Sequence, residues 1–162
     1  ALGARGIKIH PAVQLISPEH RAARVLYRAC AARGLPILFH CGPVDIETAA
    51  GRKRSQVRLY ERAIEENPDL PIILGHSGAL QMEEALGYAQ RYENVYLELS
   101  SQSLPNVRRI LAEGPRDRVL FGTDWPFYPQ ALALAKVFLA TEGDAPLRRA
   151  VLYENAAKLL GL

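Results

Sequence analysis

The chain has 162 residues, 49% of them hydrophobic and 23% charged, with a net charge of +3. That suffices for one domain with a sizeable core, or for a large piece of a bigger one, and it excludes collagen-like, disordered and disulfide-scaffold classes. No apolar run approaches the ~18 residues that cross a bilayer and no signal-peptide pattern opens the chain, so no membrane partner is expected.

Two cysteines, Cys30 and Cys41, are too few for a disulfide framework and point to a reduced, cytoplasmic setting. The one dense basic cluster is "GRKRSQVR" (residues 51–58). It reads as a solvated loop-to-helix junction, and with so mild a net charge no nucleic-acid partner is expected.

Five short apolar runs recur along the chain. In order they are "GIKIH" (6–10), "LPILFHC" (35–41), "LPIILGH" (70–76), "NVYLELS" (94–100) and "RVLFGTD" (118–124). Each is β-branched or aromatic and bounded by Gly, Pro or Asn, which favours buried strand over helix. Helical patterns separate them: 17–34 with a Ser cap and a terminal Gly, 55–68, 79–92, 104–115 and 129–143. A last helix over 145–162 closes the chain. Strands alternating with helices at roughly 30-residue spacing define βαβ units and a parallel sheet, either doubly wound or a (β/α) barrel. Neither GxGxxG nor GxxxxGK[ST] follows any strand, which weakens the nucleotide-binding open sheet.

The polar residues decide between the two. His10, His40, His76 and Asp124 sit at or near the C-terminal ends of four strands, and the remaining strand offers Glu98 with Ser100. That is the face where (β/α) barrels assemble their chemistry. Period-two alternation groups Lys8 with His10, Leu38 with His40, Ile72 and Leu74 with His76, and Leu120 and Gly122 with Asp124. The expected lumen set is therefore Lys8, His10, His40, His76, Glu98 and Asp124, which calls for a cation or a polar ligand.

Each residue also has a plainer reading. His10 precedes Pro11, so its ring could simply cap the strand. Lys8 could pair with a carboxylate, bind an anionic substrate or be carbamylated. Glu98 is divided between partnering Lys8 and touching substrate. His20 belongs to a helix surface, and Cys41 faces away from His40 into the packing between sheet and helix. Imidazole nitrogen and carboxylate oxygen suit Zn2+ or a similar divalent ion, which lowers the pKa of a coordinated water towards ~7 and polarises a carbonyl. Asp124 would accept the water's proton and His76 would hold the carbonyl. Trp125 and Pro126 turn the chain out of its strand, and Trp125 is expected to wall the substrate pocket.

The ordered set "GIKIHP", "LFHCG", "ILGHSG", "FGTDWP" and the closing "YENAAKLLGL" resembles the amidohydrolase-2 family of metal-dependent hydrolases and non-oxidative decarboxylases. The resemblance implies a distorted (β/α)8 TIM-type barrel. It further implies His40 as the fifth-strand metal ligand and Asp124 as the eighth-strand ligand, with His76 as a sixth-strand residue that activates water, contacts substrate or adds a ligand. The family's His-x-His pair occurs nowhere in the chain.

Residues 1–162 are therefore expected to form the C-terminal part of a single barrel domain, about strands 4–8, with the first strands missing. The expected activity is hydrolysis of a small lactone, amide or ester. Decarboxylation of an aromatic or unsaturated acid is the alternative, and a catalytically inactive barrel fragment a further one. The expected partner is a small-molecule substrate, and exposed sheet edges would favour a homo-oligomer.

Overall fold

The computed structural model describes residues 3–162. Its frame is a single five-stranded sheet, all parallel, with strand order equal to chain order. The strands are β1 (Ile7–Ile9), β2 (Ile37–His40), β3 (Ile72–Gly75), β4 (Val95–Glu98) and β5 (Val119–Leu120). Sequential parallel neighbours joined by helical crossovers are the arc of a (β/α) barrel, and the five-run reading holds.

The register sorts the faces. Lys8, Leu38, Ile73 and Tyr96 pair in one row, and Ile9, Phe39, Leu74 and Leu97 in the next. The second row belongs to the hydrophobic core under the helices, with Phe39, Leu74 and Leu97 fully buried. Tyr27 and Tyr60 pack edge-on against Phe39 there.

This register corrects one expectation. Ile72 and Leu74 face the helices, so strict alternation would send His76 there too. Instead β3 ends at Gly75, and the backbone turns left-handed at His76 (φ 58°), Ser77 (φ 44°) and Gly78 (φ 82°). The turn swings His76 to the lumen side. Asp124 needs no change of face, since Leu120 pairs with Glu98 in the lumen row; β5 stops at Leu120, and Asp124 reaches the strand mouth from an irregular segment at φ 56°.

The helices are α1 (Pro11–Gln14), α2 (Arg21–Ala31), α3 (Ala49–Arg54), α4 (Glu61–Glu65), α5 (Met82–Arg91), α6 (Leu104–Glu113), α7 (Gln130–Ala140), α8 (Ala145–Arg149) and α9 (Asn155–Leu160). The α2 cap is His20, whose Nδ1 accepts from the Ala22 amide, rather than Ser17. Within the basic cluster, Arg52, Lys53 and Arg54 form the last turn of α3, where cations oppose the negative helix end, and residues 55–56 link it to the next turn. The pattern over 55–68 divides into a 3-10 turn (Val57–Tyr60) and α4, and a π turn (Ala150–Glu154) joins α8 to α9. Asn155 at that junction donates to the carbonyls of Arg116 and Val119, tying the last helix to β5.

Candidate active site at the strand mouths

The loops leaving β2 and β3 meet backbone to backbone. A Cβ on Gly42 would stand 1.8 Å from the Gly78 carbonyl oxygen. A side chain at residue 42 would block that approach, which brings together the loops that follow His40 and His76. The left-handed turn that carries His76 is held by Gln102, whose side-chain amide donates to the carbonyls of His76 and Ala79. Residues in this region of φ/ψ cost about 1–3 kcal/mol each and persist where surrounding structure over-determines them.

A cavity of about 830 Å³ opens at these strand ends, lined by Lys8, His10, His40, His76 and Asp124 among others. That volume suits a small organic ligand. The rings of His10 and His40 stack at 3.9 Å, and His76 meets His40 edge-on at 4.8 Å. His40 and His76 are both buried.

A hydrogen-bonded chain runs through them. The Ser100 hydroxyl donates to Glu98 Oε2 at 2.7 Å, His76 Nδ1 lies 2.7 Å from Ser100 Oγ, and His76 Nε2 lies 3.1 Å from His40 Nδ1. Glu98 also accepts from the amides of His76 and Ser100. Its carboxylate passes directly over Gly122, where a Cβ would fall 1.8 Å from Oε1. Glu98 thus sits beneath the site as an organiser of His76.

Burial sets the charge states. His40 has its pKa pushed down to about 3, first by desolvation and then by the neighbouring His10, His76 and Lys8. Desolvation also lowers the pKa of His10, and Lys8 adds to it. For His76, desolvation lowers the pKa against the opposing pull of the Glu98 and Asp124 carboxylates. Lys8 keeps solvent contact on the open side of β1, yet the protein crowding it disfavours the ammonium and lowers its pKa, with Glu98 and Asp124 again opposing. The lowered pKa values favour neutral imidazoles; His76 Nε2 is engaged with His40 Nδ1, while His10 Nδ1 and His40 Nε2 have no hydrogen-bond partner.

Of the residues predicted from sequence, Lys8, His10, His40, His76 and Asp124 share the cavity wall. Glu98 lies behind His76. Trp125 does not join them: it is 66% exposed, and Phe127 and Tyr128 take the place at the cavity rim expected of it. Sequence reasoning missed Glu47, whose carboxylate enters the pocket from the loop after β2 with Oε1 3.0 Å from His40 Nε2. The Thr48 cap that starts α3 one residue later was the available signal.

The whole chain, residues 1–162, matches the family described as Amidohydrolase. With its barrel strands and strand-end site in view, the chain belongs to the amidohydrolase family. No curated protein matches it. Among solved structures it is similar to an uncharacterized TIM-barrel protein from Bordetella bronchiseptica, at 25% identity and TM-score 0.75, covering 99% of this chain and 58% of that one. It is also similar to 5-carboxyvanillate decarboxylase from Sphingomonas paucimobilis (18% identity, TM-score 0.73, 98% and 58% covered). A third is 2,6-dihydroxybenzoate decarboxylase in complex with 2,6-dihydroxybenzoate (21% identity, TM-score 0.69, 91% and 57% covered). The chain spans less than two thirds of the length of each.

Proposed function

We propose that this chain supplies strands 4–8 and their side chains to a metal-dependent amidohydrolase that hydrolyses a small lactone, amide or ester. The observation that carries the reading is the convergence of His10, His40, His76 and Asp124 from four separate strand ends, with Lys8 beside His10 on β1, onto one cavity. The donor set fits a divalent cation such as Zn2+: His40 Nε2 is a buried ring nitrogen with no hydrogen-bond partner. His40 and Asp124 would hold the ion, with His76 next to them. When bound, such an ion polarises a carbonyl oxygen and acidifies water.

The chain's own residues do the rest. Asp124 takes up the proton released as water attacks. His76, fixed at Nδ1 by Ser100, has a lone pair at Nε2 that can take the proton on from Asp124 and deliver it to the leaving group. Lys8 meets an anionic substituent of the substrate, and the Phe127 and Tyr128 side chains close the rim.

A second reading is non-oxidative decarboxylation of an aromatic acid, favoured by the similarity to two decarboxylases and to a third from a Polaromonas strain that carries bound manganese. There His76 would protonate the carbon that loses CO2. Turnover of a lactone, amide and ester panel, set against CO2 release from aryl acids, separates the two. Asp124→Ala in the complete metal-loaded enzyme should abolish activity and lower bound metal while the fold survives. Near-normal turnover by that variant would overturn the proposed site.

A further inference from the structure

Helix α7 is built inside out. In its sequence, "QALALAKVFLA", Lys136 alone is charged, yet Lys136 is half-buried while Leu132 (48%), Phe138 (47%) and Leu139 (51%) stand exposed. An ammonium rarely turns inward unless a partner meets it. Here the partner is a single backbone group: Nζ donates to the Gln102 carbonyl at 2.7 Å. Burial pushes the Lys136 pKa down, and the Glu98 carboxylate opposes that fall.

The local sequence is what leaves that carbonyl open. Gln102 lies one residue ahead of Ser103, the cap of α6. Pro105 has no N–H, and the Asn106 amide bonds the Ser103 hydroxyl. The start of α6 therefore gives the Gln102 carbonyl no backbone donor, and a residue so deeply buried needs one from elsewhere.

Gln102 is also where the strained turn after β3 is held. His76, Ser77, Gly78 and Ala79 all have positive φ, a run that persists only where its surroundings over-determine it. Residues 98–102 supply the tethers. Glu98 Oε2 takes the His76 amide, and the Glu98 carbonyl takes the Ser77 hydroxyl. The Gln102 side-chain amide donates to the carbonyls of His76 and Ala79, and Asn106 donates to its Oε1 at 2.7 Å, which fixes the amide the right way round. Lys136 holds the main chain of the same residue.

We infer that Lys136 is a positioning residue for His76, acting through Gln102 and the loop after β4. Lys136 does not line the cavity. The inference rests on the proposed function only for its effect on turnover, because the order of the turn is measured separately.

Hydrogen exchange on the full 162-residue chain reads that order. In Lys136→Met the His76 amide should exchange at least tenfold faster relative to the Ile72 amide, which bonds the Asn94 carbonyl at the start of β3 and follows only wider opening. Lys136→Arg keeps a cationic donor and should return the ratio to within threefold of wild type. Gln102→Glu removes both side-chain donors and should loosen the same amide. The double variant should add little to either, since both act through one residue. In the complete metal-loaded enzyme, Lys136→Met should lower kcat at least tenfold, with KM and bound metal within about twofold. An unchanged exchange ratio in Lys136→Met, effects of the two substitutions that multiply, or an unchanged kcat overturns the inference. If Lys136→Met does not fold, the wild-type chain decides: Lys136 ammonium protons that exchange as fast as those of the exposed Lys53 sink it. A wild-type enzyme without any hydrolytic or decarboxylase turnover removes the proposed function instead, and the exchange ratio then decides the positioning role alone.

Discussion

His76 Nε2 stands 3.1 Å from His40 Nδ1, and that contact passes the influence of Glu98 from one strand end to the next. A carboxylate can only accept, which orders every proton in the row Glu98, Ser100, His76, His40. The tautomers are therefore expected to be Nδ1–H on both histidines. Proton-coupled 15N spectra of the histidine-labelled chain, recorded near pH 8 with chelator present, should show this pattern for both rings. Ser100→Ala removes the acceptor for His76 Nδ1–H and should populate the Nε2–H form of His76. A His76 already in that form in the wild type would break the row at its centre.

Gly122 carries a related prediction, because its missing side chain makes room for the Glu98 carboxylate. Gly122→Ala places a methyl where Oε1 lies and forces Glu98 aside. His76 should then lose its uniform tautomer, and turnover of the metal-loaded enzyme should fall by at least about tenfold, the scale of a lost outer-shell partner. Unchanged spectra would mean that Glu98 tolerates displacement and does not organise His76.

Asn155 belongs to the closing motif but does no chemistry. Its amide satisfies the carbonyls of Arg116 and Val119, the latter on the two-residue strand β5. Asn155→Ala leaves those oxygens without that partner, at a cost of roughly 1–3 kcal/mol for an unsatisfied buried group. The urea midpoint should drop accordingly, while zinc affinity of the folded protein stays within about twofold. A midpoint at the wild-type value would show that water or a backbone shift replaces the amide.

How far the sequence reached follows from the kind of signal each element carries. The strands were legible because β-branched runs between Gly, Pro and Asn have few other readings, and all five pair in chain order. Strand-end position grouped His10, His40, His76 and Asp124, and all four line one cavity. Alternation failed for His76, since a left-handed turn at non-glycine residues leaves no mark in a propensity pattern. Trp125 was misplaced for a similar reason: the segment after β5 is irregular, and no periodicity fixes which of Trp125, Phe127 and Tyr128 turns inward. Glu47 was hidden in a loop whose geometry depends on Ser55 and Arg52, contacts that only the fold creates.

The pH dependence of stability follows from the buried imidazoles. The folded pKa of His40 is about 3, below the ordinary value of 6.5, and those of His10 and His76 are also lowered. Between the two values the unfolded chain binds more protons than the folded one, so stability increases with rising pH across that window and is lost as pH falls. His40 alone should account for roughly 1–2 kcal/mol of loss between pH 6.5 and pH 5, given ~1.4 kcal/mol per pH unit once its unfolded form is charged. Carboxylates contribute little there, because their ordinary pKa values lie near 4. Urea unfolding with chelator at pH 7, 6 and 5 measures the slope, and His40→Gln should flatten it. A wild-type slope near zero in this interval would mean that His40 is protonated as readily in the folded protein as in the unfolded chain, contrary to its burial against His10 and His76.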